Sequence, residues 1–332
     1  MKNLLKKLTS VCSPSGFEDE LCQVIKTEIT PYADEIKVDK LGNLHAIKNG
    51  SDNNITIMLA AHMDEIGVIV TDIEEGGYAR FTRLGYIYGI NLVASRLIFT
   101  NGAIGMININ EKDTKVDKDL RNAYIDFGVP HKDDCPVKVG DVACFFGPSV
   151  ELTNSRYMAK SIDDRIGCAI QIELLKRLKK TPHNIHVVFT TQEEFSGVGA
   201  RTSAYKITPD IAIAIDIMLS GDMPESKNNP VSLGKGPVIK VKDIGTLIHL
   251  GVKNWLIDTA IANDIPYQLG ISDDYTDAMT MQSTKAGSAV GQICIPCRHI
   301  HTPAEIIDLT DAEHAVNLLV TMLSNDVPEN LR

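Results

Sequence analysis

Long apolar segments are missing from this chain of 332 residues. No run approaches the roughly 18–20 apolar residues that a helix needs to cross a bilayer, so we expect no membrane partner. The N-terminal stretch has charges inside its apolar pattern, which predicts an amphipathic helix and not a secretory signal. Basic blocks are missing too, and 33 Lys+Arg against 43 Asp+Glu give a net charge of −10. This argues against a nucleic-acid partner, because nucleic-acid binding depends on neutralising phosphates.

The cysteine count and the absence of low-complexity sequence narrow the class of protein further. The cysteines number seven, an odd count without a predicted secretory signal, so we expect free thiols in a reducing cytoplasm. No repeat and no Pro/Gly/Ser-rich linker divides the chain. Hydrophobic residues make up 44% and charged residues 23%, which is typical of a globular protein with a sizeable core.

Two kinds of secondary-structure pattern occur along the chain, and they predict its domain organisation. Strands alternate with helices in residues 1–66 and 155–332, which predicts one discontinuous α/β domain with a largely parallel sheet covered on both faces. Residues 67–154 carry short β-rich segments between Gly- and Asp-containing turns, which predicts a small inserted β domain. The main predicted elements are helices at 162–179, 252–263 and 311–324 and strands at 55–61, 185–191, 211–217 and 289–295.

Acidic and histidine residues cluster at the ends of the predicted strands and at one helix start. In an open α/β sheet, ligands bind outside the carboxyl ends of the strands, so segments remote in sequence can meet in one cleft. We expect this of residues 60–65 (AAHMDE), 160–167 (KSIDDRIG), 191–197 (TQEEFSG), 215–217 (IDI) and 298–303 (RHIHTP).

The imidazole and carboxylate groups of these segments suit a pair of divalent metals. They fit zinc and related first-row ions, and two ions about 3.5–4 Å apart need a carboxylate between them. Each ion needs further protein ligands and open positions for water and substrate. The five candidate ligands are His62, Asp163, Glu194, Asp216 and His301.

Two more acidic residues fit roles beside such ions. Glu193 precedes a candidate ligand, and adjacent carboxylates at a strand end point in different directions, so Glu193 can act as general base on the attacking water. Asp64 lies two residues after His62, on the same side of an extended segment. It can accept a hydrogen bond from the far ring nitrogen and fix the imidazole.

Each feature also has a simpler structural explanation when it is taken alone. These explanations are a capped strand end for residues 62–64, a helix N-cap for 163–164, a solvated turn for 193–194 and a surface loop for His301. Asp216 is harder to explain in this way, since a carboxylate inside the apolar run IAIAIDIML is costly to bury without a cation. The order of the candidates and their placement at sheet ends favour the metal site.

Seven short motifs follow one another in the order of a known enzyme family. They are AHMDEIG (61–67), SIDDRIG (161–167), QEEFSGVGA (192–200), AID (214–216), GKGP (234–237), TDA (276–278) and RHIHTP (298–303). With them, nearly the whole chain resembles the M42 family of metallo-aminopeptidases, which includes glutamyl aminopeptidase and the tetrahedral (TET) aminopeptidases.

The resemblance implies a fold, an activity and an assembly. The fold is a phosphopeptidase/aminopeptidase-like α/β domain, a mixed sheet covered by helices, with an inserted small β-barrel dimerisation domain. The activity is that of a metal-dependent aminopeptidase that removes N-terminal residues from short peptides by attack of a metal-bridging hydroxide. Two divalent ions per subunit are implied, either Zn or Co, with Mn as a further option. A cytoplasmic homo-oligomer is implied as well, in which dimers form a tetrahedral dodecamer.

The resemblance also assigns a role to each candidate residue. Asp163 bridges the ions, Glu194 and His301 complete one site, His62 and Asp216 complete the other, Glu193 is the general base, and Asp64 orients His62.

The chain departs from the family pattern at two places near the expected substrate pocket. Ser272–Tyr275 (SDDY) replaces a Gly-rich stretch, and His299 replaces a tyrosine. We expect Asp273 and Asp274 to favour neutral or basic substrate side chains. Three alternatives stay open: a related amide hydrolase (deacylase or dipeptidase), an endoglucanase like some labelled relatives, and a non-catalytic assembly subunit.

Overall fold

The structure is a computed structural model that describes residues 1–52, 55–224, 226 and 229–331. Seventeen strands and eight α-helices lie within these residues. The strands are β1 (Glu35–Val38), β2 (Leu44–Lys48), β3 (Thr56–His62), β4 (Gly67–Ile73), β5 (Ala79–Leu84), β6 (Arg96–Phe99), β7 (Ile104–Ile109), β8 (Ala123–Asp126), β9 (Val142–Phe145), β10 (Val150–Glu151), β11 (Arg156–Ala159), β12 (Asn184–Thr190), β13 (Ile211–Leu219), β14 (Val238–Lys242), β15 (Gln268–Ile271), β16 (Ala289–Arg298) and β17 (Glu305–Asp308). The helices are α1 (Lys2–Thr9), α2 (Asp19–Ile29), α3 (Ile162–Arg177), α4 (Glu193–Ser196), α5 (Val198–Ile207), α6 (Leu250–Ala262), α7 (Ala278–Gln282) and α8 (Leu309–Leu323).

Eleven of these strands form one mixed sheet. Its main path is β1-β2-β12-β3-β13-β16-β17-β11-β10, with β14 paired to β16 and β15 paired to β14. The four central strands, β12, β3, β13 and β16, are mutually parallel, and antiparallel pairs extend them on both sides. The expectation of a largely parallel sheet was therefore wrong outside the centre. Short connections such as the one between β1 and β2 produce antiparallel neighbours there.

Alternate residues of the central strands face two different layers of helices. Ile57 and Leu59 of β3 belong to the larger core, which also contains residues of α1, α2, α3, α6 and α8. Met58 and Ala60 belong to a smaller core that contains Ala200 of α5. This alternation follows from the two-residue period of a strand, and it buries the sheet on both faces.

The other six strands close into an antiparallel barrel in the order β4-β5-β8-β7-β6-β9. The barrel has its own core, to which Phe81 and Leu97 belong. The predicted fold class, a mixed α/β sheet covered by helices with an inserted β-barrel, is confirmed. The limits 67–154 of the inserted domain stay a prediction. Its last predicted residues include β10, which pairs with β11 of the main sheet.

A buried group of charges joins the N-terminal segment to the start of α3. Glu65 accepts hydrogen bonds from Nζ of Lys160 at 2.7 and 2.8 Å, from Arg165 at 3.0 Å and from the backbone N–H of Ser13 at 3.1 Å. Arg165 also donates to the carbonyl of Leu8 at 2.7 Å. We call Glu65, Lys160 and Arg165 the Glu65 ion cluster. It holds residue 65, and therefore its neighbour Asp64, against the start of α3.

Two further observations concern the helices and the cysteines. Among the described residues, no helix has both the length and the apolar character that crossing a bilayer requires. All seven cysteines are free thiols. Five of them are buried, and Cys294 and Cys297 lie inside β16, where core packing accounts for them.

Candidate active site

The register of the central strands brings predicted site residues to one edge of the sheet. His62 is the last residue of β3 and pairs with Thr190, the last residue of β12. The pairing of β13 with β3 puts Asp216 level with His62, although Asp216 lies inside its strand and not at the end. His301 follows the end of β16. Because parallel strands end at a common edge, residues remote in sequence meet there.

Glu193 and Glu194 begin a short helix that follows β12. Gln192 has a φ of +56°, which turns the chain out of the strand direction, and α4 starts at the next residue. The expectation that the two carboxylates alternate at a strand end was wrong, because this turn replaces the strand by a helix. Both glutamates are nevertheless buried, with exposed fractions of 5% and 8%, so neither lies on a solvated turn.

The carboxylate of Asp163 lies between two imidazoles. Its Oδ1 is 3.1 Å from Nε2 of His62, and its Oδ2 is 3.3 Å from Nε2 of His301. The same His301 nitrogen is 3.2 Å from Oε1 of Glu194. The structure therefore brings four of the five predicted ligands together around one carboxylate.

The fifth predicted ligand, Asp216, belongs to a neighbouring group that also includes Asp164. The potential ligand atoms of His62, Asp164 and Asp216 lie within 4.8 Å of one another. Asp164 was not assigned to the site from the sequence. Its Oδ2 accepts a hydrogen bond from the backbone N–H of His62 at 3.3 Å, and its Oδ1 accepts one from Gly167 at 2.9 Å. The bond from Gly167 resembles an N-cap contact, although α3 begins before it, with Ser161 at the N-cap position. The doubled carboxylate of the motif was the signal that could have identified it.

Asp64 lies beside the far ring nitrogen of His62 and also contacts both glutamates. Nδ1 of His62 is 3.0 Å from the backbone carbonyl oxygen of Asp64 and 3.5 Å from its carboxylate. The carboxylate accepts hydrogen bonds from the backbone N–H groups of Glu193 (3.0 Å) and Glu194 (3.2 Å) and from the hydroxyl of Ser15 (2.6 Å). Because β3 ends at His62, strand alternation no longer decides where the side chain of residue 64 points. The carbonyl and the carboxylate of Asp64 both face the imidazole, and the carboxylate also positions the two glutamates.

Glu305 is a further residue that the sequence did not indicate. Its Oε2 accepts a hydrogen bond from the backbone N–H of Asp163 at 3.0 Å, and its Oε1 accepts one from that of His301 at 2.9 Å. Burial, together with the nearby Asp163 carboxylate, raises the pKa of Glu305 to about 8. One carboxyl group thus ties two predicted ligands together. An isolated glutamate in a short strand carries no sequence signal for this role.

Burial sets the proton affinity of the acidic residues at the site. It raises the pKa of Glu193 well above its ordinary value, and the carboxylate of Asp216 adds to the rise. Burial opposes the charge on Asp163 as well, but hydrogen bonds from His301 and His62 outweigh it and lower the pKa of Asp163. The pKa values of Glu193 and Asp163 therefore shift in opposite directions.

The donor set fits a pair of divalent cations. A second group of buried potential ligands, formed by His62, Asp163 and Glu194, also has its ligand atoms within 4.8 Å of one another. Oε1 of Glu194 is buried and makes no hydrogen bond to any described residue, although the His301 nitrogen is near. The Glu194 oxygen and the His301 nitrogen thus lie close together without a hydrogen bond, as two ligands of one ion would. Imidazole nitrogens with carboxylate oxygens are the donors that zinc and related ions prefer.

Comparison with known proteins identifies the family. The model of the M42 glutamyl aminopeptidase family matches residues 42–318. A provisionally named aminopeptidase of Acetivibrio thermocellus is 43% identical over 324 residues, which cover 96% of this chain and 97% of the relative.

Solved structures agree with this family. Aminopeptidase APDkam598 from the archaeon Desulfurococcus kamchatkensis superposes with a TM-score of 0.94 at 35% identity, covering 99% of this chain and 96% of that one. The TET1 peptidase of Pyrococcus horikoshii, which can assemble into a tetrahedron or a large octahedral shell, has a TM-score of 0.88 at 28% identity, covering 98% and 99% of the two chains. The chain therefore belongs to the M42 glutamyl aminopeptidase family and is an aminopeptidase.

Proposed function

We propose that this aminopeptidase is a dinuclear metalloenzyme that removes N-terminal residues from short peptides. The observation that carries the proposal is the Asp163 carboxylate, 3.1 Å from the imidazole of His62 on one side and 3.3 Å from that of His301 on the other. Two divalent ions held there would polarise the scissile carbonyl and stabilise negative charge on its oxygen. Zinc or cobalt suits these donors, and manganese is a further candidate.

The proposed ligand roles combine the family resemblance with the contacts. Asp163 would be shared by the two ions, Glu194 and His301 would hold one of them, and His62 and Asp216 would hold the other. Asp164 supports the second site, since it accepts a hydrogen bond from the backbone of His62 at 3.3 Å. Glu305 supports the first through the backbones of Asp163 and His301.

Glu193 is the proposed general base. Its carboxylate is buried, Oε2 is 4.0 Å from Nε2 of His62, and its raised pKa suits a group that accepts a proton. Glu193 takes a proton from the water that attacks the scissile carbonyl carbon. It returns the proton to the nitrogen of the leaving amine as the C–N bond breaks. The backbone hydrogen bond to Asp64 keeps the glutamate in position during both transfers.

Metal analysis combined with two matched substitutions tests this proposal. The wild type is expected to bind two divalent ions per chain, to cleave aminoacyl-p-nitroanilides and short peptides, and to lose activity to a chelator. Glu193→Gln should keep both ions and lose about 10²- to 10⁴-fold in kcat. The adjacent and equally buried Glu194→Gln is the control, and it should lose one ion along with the activity.

The same assays separate the alternatives. Turnover of Glu193→Gln within a few-fold of wild type would contradict the assigned base, and fewer than two ions would contradict the dinuclear centre. A deacylase or dipeptidase would cleave N-acylated amino acids or dipeptides and leave longer peptides intact. An endoglucanase would cleave β-glucans in the presence of a chelator, because glycoside hydrolysis needs two carboxyl groups and no imidazole ligand. A non-catalytic assembly subunit would bind metal and cleave nothing.

We also propose a homo-oligomer, with dimers assembled into a tetrahedral dodecamer. The support is the tetrahedral assembly of the Pyrococcus horikoshii relative. Light scattering should give a particle of about twelve chain masses, and a monomer or an isolated dimer would contradict the proposal. The cytoplasmic location stays a prediction, and the seven free thiols fit a reducing compartment.

A further inference from the structure

The loop between β15 and α7 extends from the edge of the main sheet to the proposed base. It contains Ser272–Tyr275, where the chain departs from the family pattern. The backbone N–H of Ser272 donates to the carbonyl of Lys242 at 3.2 Å, and the N–H of Ile244 donates to the carbonyl of Asp274 at 3.0 Å. These bonds fasten the loop to β14 and the turn after it, so its position is set by the backbone.

A buried lysine neutralises the acidic residue at the centre of this loop. Nζ of Lys240 is 2.6 Å from Oδ1 of Asp274, and the lysine side chain is 0% exposed. The hydroxyl of Ser272 donates to the same carboxylate oxygen. Separating the pair would leave a buried ammonium without its counter-charge, so Oδ1 of Asp274 stays bound to Lys240, while the Asp274 side chain keeps 40% of its surface exposed. Asp273 is exposed, where water weakens any ion pair. The Lys240–Asp274 pair carries no net charge, which weakens its attraction for a basic substrate side chain.

The next residue, Tyr275, contacts the backbone of Glu193, the proposed base. Its hydroxyl donates to the backbone carbonyl of Glu193 at 3.3 Å. Burial, together with the carboxylates of Glu193 and Glu194, raises the pKa of Tyr275, so the phenol stays neutral. The residue still keeps 37% of its surface exposed. The hydroxyl is thus held at the backbone of Glu193 while part of the residue stays exposed.

We propose that Tyr275 determines specificity by packing its ring against the side chain of the substrate's N-terminal residue. This inference rests on the proposed function, because the scissile carbonyl must lie beside Glu193 for the base to reach the attacking water. The side chain next to that carbonyl then meets the neighbours of Glu193. An aromatic ring beside a neutralised ion pair favours apolar side chains such as leucine and phenylalanine. It disfavours glutamate and lysine, because the neutral pair offers neither charge a net counter-charge while contact with the ring removes water from it.

A panel of leucyl, phenylalanyl, alanyl, glutamyl and lysyl p-nitroanilides tests the inference with metal-loaded protein. The wild type should show kcat/KM at least about tenfold higher for leucine or phenylalanine than for the other three. Tyr275→Ala should reduce the leucine-to-alanine ratio of kcat/KM about tenfold while the metal content stays that of the wild type. Tyr275→Phe keeps the ring and should keep the ratio. Tyr205→Ala is the matched control, since this tyrosine lies on α5, 62% exposed and beside Lys285.

Two results would overturn the inference by itself. One is an active wild type that prefers glutamyl or lysyl substrates. The other is a Tyr275→Ala variant whose activity falls by one common factor on all five substrates, which would indicate a structural role. If Tyr275→Ala fails to fold, Tyr275→Leu replaces it, and its phenylalanine-to-alanine ratio should fall below that of Tyr275→Phe. Failure of the wild type to cleave any substrate would instead overturn the proposed function, and this inference with it.

Discussion

Replacing Asp64 by asparagine changes the site with almost no change in side-chain shape. The carboxylate has two oxygens, one of which accepts from the backbone N–H of Glu193 while the other accepts from that of Glu194 and from the hydroxyl of Ser15. An asparagine keeps one oxygen and turns the other into an NH₂ donor. In either orientation the NH₂ group faces a backbone N–H, so one of the two glutamates loses its anchor.

The size of the effect follows from these contacts. A hydrogen bond to a charged group is worth about 1.5–3 kcal/mol, and here one such bond is replaced by a contact between two donors. At about 1.4 kcal/mol per tenfold change, activity should fall about 10- to 100-fold, which is also the usual effect of mutating a carboxylate that supports a metal site. Ser15→Ala is the control, because it removes one hydrogen bond to the same carboxylate and leaves the charge. It should cost less than about tenfold.

Two losses are expected, one in activity and one in metal binding. Steady-state kinetics on the fastest aminoacyl-p-nitroanilide measure the first. A competition titration with a chromogenic chelator measures the second. Asp64→Asn should lower kcat/KM far more than Ser15→Ala does. It should also weaken binding of the ion that Glu194 is proposed to hold. The reasoning is refuted if Asp64→Asn stays within about threefold of wild type in both measurements, because the carboxylate would then not position the glutamates.

Two further substitutions test the packing around the site. A Cβ on Gly167 would lie 2.3 Å from Oδ2 of Asp164, so Gly167→Ala must displace that carboxylate. It should then lower the metal content from two ions towards one in elemental analysis, and two tightly bound ions would contradict this. Glu65→Gln leaves the two cations of the Glu65 ion cluster without a counter-charge, and it should reduce the free energy of unfolding by about 3–5 kcal/mol in urea titrations. The exposed Glu151, paired with Lys2, is the matched control, and Glu151→Gln should cost no more than about 1 kcal/mol. Equal losses in the two glutamine variants would show that burial of the cluster has no special effect.

Local sequence patterns were sufficient to predict much of the fold. The apolar runs at 55–61 and 211–217 were predicted as strands because strand alternation and β-branched residues act over a few residues, and they correspond to β3 and β13. The short β-rich segments that begin after residue 66 predicted the inserted β unit for the same reason. The extent of the parallel sheet was overestimated, since the direction of the strands at its edges depends on pairings that no local pattern records.

The candidate site shows which features local sequence patterns predict and which they do not. Residue chemistry and motif order by themselves determined which imidazoles and carboxylates could share metal ions, because ligand type is a property of the side chain. Only the tertiary structure decided that Glu305 ties Asp163 to His301, that Lys240 neutralises Asp274 and that the carboxylate of Asp64 anchors the two glutamates. Each of these contacts joins segments remote in sequence, through strand register and loop geometry. Their energy depends on burial and on distances of about 3 Å between atoms, and neither quantity is a property of any one stretch of the chain.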